Sequence, residues 1–176
     1  MKTIFLPTIQ AMNTEGRTYK GCLYFGLMLT PNGPKVIEYN CRFGDPETQV
    51  VLPLLESDLL TIMMATTNGT LADTEVKFAD KHACCVILAS AGYPTAYKKG
   101  FEMSFTDEAL KATFVAGAKN ENDKLVTWGG RVTGTTAVAD SLSEAIKEAY
   151  RLSDGVKFEG AYRRSDIGQK ALQALN

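Results

Sequence analysis

The stretch Lys35-Val36-Ile37-Glu38-Tyr39-Asn40-Cys41-Arg42-Phe43-Gly44-Asp45-Pro46-Glu47-Thr48-Gln49 changes period partway along, and that change decides how the chain folds around it. From Lys35 to Arg42 polar and apolar side chains alternate, as on a strand with two unlike faces. Glu38, Asn40 and Arg42 fall on one face, and Ile37, Tyr39 and Cys41 on the other. After Gly44 the pattern predicts a helix start, with Asp45 as its cap, Pro46 at the first helical position and Glu47 in the first turn. Upstream, the apolar run 23–29 is a second strand. Pro31-Asn32-Gly33-Pro34 joins the two, and its Asn-Gly supplies the positive backbone angles of a hairpin turn.

Before the hairpin, Leu6, Ile9, Gln10 and Met12 have roughly helical spacing, ended by Asn13-Thr14-Glu15-Gly16. A chain that opens inside a helix is expected to lack something upstream. After the hairpin, Pro53 breaks or kinks the helix, and Leu59, Leu60, Ile62, Met63 and Met64 form a further helical face stopped by Asn68-Gly69. The polar stretch 70–80 marks a boundary between units. Beyond it lies a buried strand from His82 to Ser90, stopped by Gly92-Tyr93-Pro94. Strands are also expected at 112–116, 124–128 and 131–139, with Asn120-Glu121-Asn122-Asp123 as the turn between the first two. Ser141-Leu142-Ser143-Glu144 is a capping box opening a helix that presents Leu142, Ile146, Ala149 and Leu152. A short strand at 156–158 and a last helix over 166–175 complete the second unit.

Composition limits the functions open to the chain. It has 176 residues, 45% of them apolar, enough for one compact domain or two small packed units. Lys plus Arg number 19 against 20 Asp plus Glu, so no charge field points to nucleic acid or a membrane surface. No apolar run approaches bilayer length, and the first residues are too short for a secretory signal, so a cytoplasmic protein is expected. Cys22, Cys41, Cys84 and Cys85 show no CxxC spacing and read as reduced core thiols. His82 is the single histidine, which argues against a zinc site or a catalytic triad. Walker, Rossmann and nucleophile-elbow fingerprints are all missing.

The chemistry therefore centres on the polar face of the strand. Residues two apart sit roughly 6.6 Å apart along a strand, so the Glu38 carboxylate and the Asn40 carbonyl oxygen can lean onto one ion. Mg²⁺ takes oxygen donors of this kind and leaves positions for phosphate and water. Arg42 offers a planar fork of donors for phosphate oxygens. By spacing alone, an ordinary half-exposed polar face explains the same pattern. Asp45 and Glu47 at a helix start would repel phosphate unless a cation lay between them, and capping explains Asp45 as well. Gly129-Gly130-Arg131 reads as a strand-joining turn with a surface arginine.

A resemblance narrows these alternatives. Arg42-Phe43-Gly44-Asp45-Pro46-Glu47-Thr48-Gln49-Val50 resembles the signature segment of the phosphoribosylamine–glycine ligases, also called glycinamide ribonucleotide synthetases. Gly21 to Leu29 resembles the strand preceding it in that family. Ala89-Ser90-Ala91-Gly92-Tyr93-Pro94, Gly129-Gly130-Arg131-Val132 and Tyr162-Arg163-Arg164-Ser165-Asp166-Ile167-Gly168 resemble its C-terminal domain, in the same order. The resemblance implies an α+β chain. Residues 1–78 would be the C-terminal part of an ATP-grasp domain, an antiparallel sheet with helices, and 79–176 a small mixed α/β C-terminal domain.

It also implies an enzyme that activates glycine as an acyl phosphate at the expense of ATP and joins it to 5-phosphoribosylamine. Glu38 and Asn40 match the positions that bind Mg²⁺ or Mn²⁺. Arg42 matches a position meeting the transferred phosphoryl group, with Gly44, Asp45 and Glu47 beside the nucleotide. The third metal carboxylate of many ATP-grasp enzymes has no counterpart in 23–29. The family's N-terminal half is expected upstream, so the 176 residues alone should not catalyse the reaction. Other ATP-grasp carboxylate–amine ligases, or a non-catalytic module that kept the fold, are the competing readings.

Overall fold

The computed structural model describes residues 2–175 as an α+β chain whose strand pairings are all antiparallel. Its elements run in the order α1 (Phe5–Thr14), β1 (Tyr24–Thr30), β2 (Gly33–Asn40), α2 (Thr48–Val51), α3 (Leu59–Asn68), β3 (His82–Ser90), β4 (Ser104–Phe105), α4 (Asp107–Ala112), β5 (Thr113–Val115), β6 (Ala118–Glu121), β7 (Lys124–Thr127), β8 (Arg131–Ala139), α5 (Leu142–Ser153), β9 (Val156–Lys157), β10 (Ala161–Tyr162) and α6 (Gln169–Leu175). They form two compact units. One runs to Asp45 and resumes over Leu55–Phe78; the other takes Pro46–Leu54 and the chain from Ala79 onward.

In the first unit β1 and β2 form a two-stranded sheet. The turn is tighter than Asn-Gly alone suggests. Gly33 is the residue with positive φ, at 87°, and Thr30 pairs with it directly. The Thr30 hydroxyl fixes the bend, donating to the Gly33 carbonyl at 2.7 Å and accepting from the Asn32 amide at 3.2 Å. Between Gly26 and Leu27 the register slips, so Glu38 faces Gly26 while Val36 faces Leu27. Ile37 is the bulged residue, and a bulge of this kind bends its strand. On the apolar side Phe5 of α1 meets Phe25 edge-on at 4.3 Å, and Phe25 meets Tyr39 at 5.3 Å. The expected burial of that side is incomplete: Ile37, Tyr39 and Cys41 are exposed, because these short elements cover little of it. Asp58, which the sequence reading passed over, caps α3 by accepting from the Thr61 amide at 2.7 Å. The Thr61 hydroxyl, donating to the same carboxylate at 2.7 Å, and then that amide hold the carboxyl below its usual range. Gly69 ends the helix in the left-handed region at φ 80°.

The second unit holds the core. Its sheet has the order β10-β3-β8-β5, and α5 packs across β3 and β8. Val86, Val132 and Val156 are almost fully buried, with Ala145, Ile146 and Ala149 presented by α5. These three come from a helix with strong one-sided patterning, as a helix laid on a sheet requires. Small alanines let it approach closely. The capping box is present with its bonds rearranged. Ser141 Oγ accepts from the Glu144 amide at 3.2 Å, and its hydroxyl donates to the Glu144 carboxylate at 2.9 Å.

The turn expected over 120–123 is smaller than proposed and joins different strands. Asn122 and Asp123 alone take positive φ, and they link β6 to β7; β5 pairs with β8 instead. Lys119 and Asn120 are strand residues because their backbone groups pair with Val126 and Leu125.

Candidate functional site

The polar face of β2 is the starting point. Glu38 and Asn40 do lie together, with Asn40 Nδ2 donating to Glu38 Oε1 at 2.9 Å. What holds the carboxylate there is across the hairpin. A Cβ added to Gly26 would come within 2.9 Å of Glu38 Cγ, so the absence of a side chain at Gly26 is what lets Glu38 lie across β1. Counting back from the turn would pair Gly26 with Ile37; the bulge moves its partner to Glu38, which alternation along one strand does not reveal.

Arg42 does not continue this face. β2 ends at Asn40, and the Arg42 guanidinium turns onto its own backbone, where Nη1 donates to the Phe43 carbonyl at 2.8 Å. In the same unit the Tyr19 hydroxyl donates to the Cys22 carbonyl at 2.9 Å. Loss of water around the Tyr19 phenol, and then the neighbouring Cys41 and Cys22, push its pKa above the ordinary value.

The helix expected at Asp45 begins later. Asp45, Pro46 and Glu47 form a turn, and α2 starts at Thr48 with no side-chain cap. Pro46 still initiates it, since its carbonyl accepts from the Gln49 amide at 3.2 Å. Gly44 is buried and Asp45 exposed. Glu47 belongs with the second unit, where its segment is firmly held. Thr136 Oγ1 donates to the Gln49 carbonyl at 2.9 Å, and the Ala79 amide donates to the Leu54 carbonyl at 2.8 Å. Gln49 lies over Gly134 of β8.

The fit to a divalent cation rests on the donors present. Glu38 supplies an exposed carboxylate and Asn40 an amide whose nitrogen faces that carboxylate. A half-turn of the amide offers its oxygen instead. Among the described residues no group of three or more His, Cys, Asp and Glu converges as a metal cage. Two oxygen donors suit a hard cation that completes its shell with phosphate and water, as Mg²⁺ does, and do not suit zinc.

Comparison with known proteins gives a consistent picture. Residues 83–170 match the family model described as phosphoribosylglycinamide synthetase, C domain, and residues 1–48 match the ATP-grasp (A) domain of the same synthetase. The chain is 51% identical over 165 residues to a phosphoribosylamine–glycine ligase of Caldanaerobacter subterraneus, covering 93% of this chain and 40% of that protein. It is 48% identical over 176 residues to a bifunctional purine biosynthetic protein of Pichia angusta, covering 98% of this chain and 22% of the relative. A crystal structure of phosphoribosylamine–glycine ligase from Thermotoga maritima superposes with a TM-score of 0.79 at 38% identity, covering 90% of this chain and 39% of that one. The chain thus spans less than half the length of these relatives. None of its described helices is long and apolar enough to cross a membrane.

Proposed function

Because the chain belongs to the phosphoribosylglycinamide synthetase family, we propose that it is the part of a phosphoribosylamine–glycine ligase that holds a divalent cation against ATP, in a cytoplasmic enzyme of purine synthesis. The observation carrying this reading is the Glu38–Asn40 pair laid across Gly26. In this reading residues 1–78 complete an ATP-grasp domain and 79–176 form the ligase C-terminal domain. The names of the relatives favour this ligase over other ATP-grasp carboxylate–amine ligases and over a non-catalytic module.

Glu38 and Asn40 hold Mg²⁺ or Mn²⁺, which when bound supplies positive charge to the ATP phosphates. Arg42 leaves the Phe43 carbonyl and turns its fork of donors to the phosphoryl group passing from ATP to the glycine carboxylate. Charge that develops on that group is then met by the guanidinium, an electrostatic contribution of the kind that matters most in phosphoryl transfer. The Gly44 backbone lies beside the nucleotide. Asp45 and Glu47, being acids, approach phosphate through a cation. The acyl phosphate so formed loses phosphate when the amine of 5-phosphoribosylamine attacks its carbonyl carbon, giving glycinamide ribonucleotide.

The test is a chimaera in which these 176 residues replace the matching stretch of the Caldanaerobacter ligase. It should make glycinamide ribonucleotide with ATP, glycine and Mg²⁺, and Glu38→Ala in it should lower kcat by about a hundredfold or more, in the range seen when one charge-stabilising group is removed. A folded chimaera without product, judged by an intact melting transition, would overturn the assignment. Wild-type turnover in Glu38→Ala would overturn the metal pair alone. The 176 residues by themselves should yield no product.

A further inference from the structure

A cavity of about 470 Å³ lies in the C-terminal unit between α5, the loop after β10 and α6. It is built on the segment Arg163-Arg164-Ser165, which the cation site does not use. Its walls sort by chemistry. Lys147 of α5 and Arg163 and Arg164 of the loop supply three cations, and among the described residues no carboxylate lines the cavity. The hydroxyls of Ser143 and Ser165 add neutral hydrogen-bonding groups, while Ile146, Leu172 and the Tyr150 ring supply apolar surface. The volume lies within the range of small-ligand sites.

Partners outside the cavity set the arginines in place. Arg164 Nε and Nη2 donate to the two carboxylate oxygens of Asp166 at 2.7 and 2.6 Å. Arg163 Nη2 donates to Asp154 Oδ1 at 2.6 Å, and its Nη1 donates to the Ser153 hydroxyl and, at 3.2 Å, to the Tyr150 carbonyl. These bonds leave the Arg163 Nε and Arg164 Nη1 donors for another acceptor. Tyr150 fixes the loop from the helix side. Its hydroxyl donates to the Arg164 carbonyl at 2.7 Å and accepts from the Ile167 amide at 3.0 Å, and the Arg163 guanidinium lies 5.1 Å from its ring centroid. Asp154 and Asp166 offset part of the arginine charge, but they also hold the forks in position, so little freedom is lost when an anion arrives.

We propose that this cavity binds a small organic polycarboxylate, with its carboxylates on Lys147, Arg163 and Arg164 and its carbon skeleton against Ile146, Leu172 and the Tyr150 ring. Planar guanidinium forks match the geometry of a carboxylate. The apolar surface favours an anion with a carbon skeleton over inorganic phosphate, which is hydrated on every side. Such a ligand touches α5, the loop and α6 together, so its binding holds α6 against α5. The proposal stands on this cavity alone and does not depend on the ligase assignment.

The 176-residue protein is titrated with citrate and with inorganic phosphate at matched ionic strength by isothermal titration calorimetry, and hydrogen exchange of α6 is followed with and without citrate. Citrate should bind saturably and slow exchange of the α6 amides, and phosphate should bind about tenfold more weakly or worse. Lys147→Ala, at an exposed position of α5, should weaken citrate about tenfold or more, which is about 1.4 kcal/mol, with the melting temperature of the free protein unchanged. Lys157→Ala removes an exposed lysine that does not line the cavity, and should bind citrate like wild type. A wild-type protein silent to citrate in both readouts, phosphate binding as well as citrate, or Lys147→Ala binding like wild type would each overturn the proposal. Equal weakening by Lys157→Ala would overturn it too, as the mark of unspecific charge attraction.

Discussion

At the scale of single residues, the position that most sharply tests the cation site is a glycine that touches no ligand. Gly26→Ala places a methyl group 2.9 Å from Glu38 Cγ, closer than real side chains approach. The carboxylate stem must swing away from Asn40, while the strand itself tolerates alanine. Mg²⁺ affinity in the chimaera should therefore fall about tenfold or more, with the melting temperature within a few degrees of wild type, a separation that titration and calorimetry read independently. Equal Mg²⁺ affinity would show that Glu38 does not need Gly26. The thiols give a second residue-level test. Cys84 is buried in β3, and that burial, followed by the neighbouring Cys85, pushes its pKa up to about 11 from the ordinary 9.0. The folded state thus favours the neutral thiol. Its contribution to stability is complete below pH 9 and declines as pH rises through about 11. Alkylation at pH 8 should label exposed Cys41 first and Cys84 last. Labelling of Cys84 in step with Cys41 would contradict the packing of β3.

At the scale of elements, the cap of α5 can be measured directly. Ser141→Ala removes the hydroxyl that accepts from the Glu144 amide, and should cost about 1 kcal/mol in denaturant unfolding. Val132→Ala, in the buried heart of β8, should cost about 2–3 kcal/mol through lost burial and the cavity left behind. A Val132→Ala penalty no larger than that of Ser141→Ala would mean the core lies elsewhere. These elements were also the most legible in the sequence. The buried strand from His82 to Ser90, the capped helix at Ser141 and the hairpin around Gly33 each carry a local signal strong enough to fix them. What escaped had no local signal. β6 is the polar run Ala118-Lys119-Asn120-Glu121, and it becomes a strand only because β7 pairs with it. The helix start expected at Asp45 came later because the chain makes a turn through Pro46 and Glu47 before α2 begins. For the proposed cation site, the closeness of Glu38 and Asn40 was readable from alternation. The contact of Gly26 with Glu38 was not, since it exists only across the hairpin, and alternation did not carry on to Arg42 because β2 ends at Asn40.

At the scale of the whole molecule, the two units differ in what holds them. The cluster of buried apolar residues, from Cys84 to Phe158, lies wholly in the C-terminal unit. In the other unit the hairpin leaves Leu29 84% and Ile37 62% exposed, and α1 buries no residue. Buried apolar area is the main favourable contribution to folding, and an isolated two-stranded sheet is marginal in water. The free energy of opening should therefore differ along one chain. Native-state hydrogen exchange should show amides of β1 and β2 exchanging by local opening, while those of β3, β8 and α5 exchange only with global unfolding. The contrast matters for chemistry because Glu38 and Asn40 sit on the loosely held sheet, whereas the segment after Asp45 is fixed to the well-packed unit through Gln49 and Leu54. In the chimaera the β1–β2 amides should gain protection, since the Caldanaerobacter relative is more than twice the length this chain covers. Unchanged fast exchange there would mean that the added chain does not steady the strand carrying the proposed cation pair.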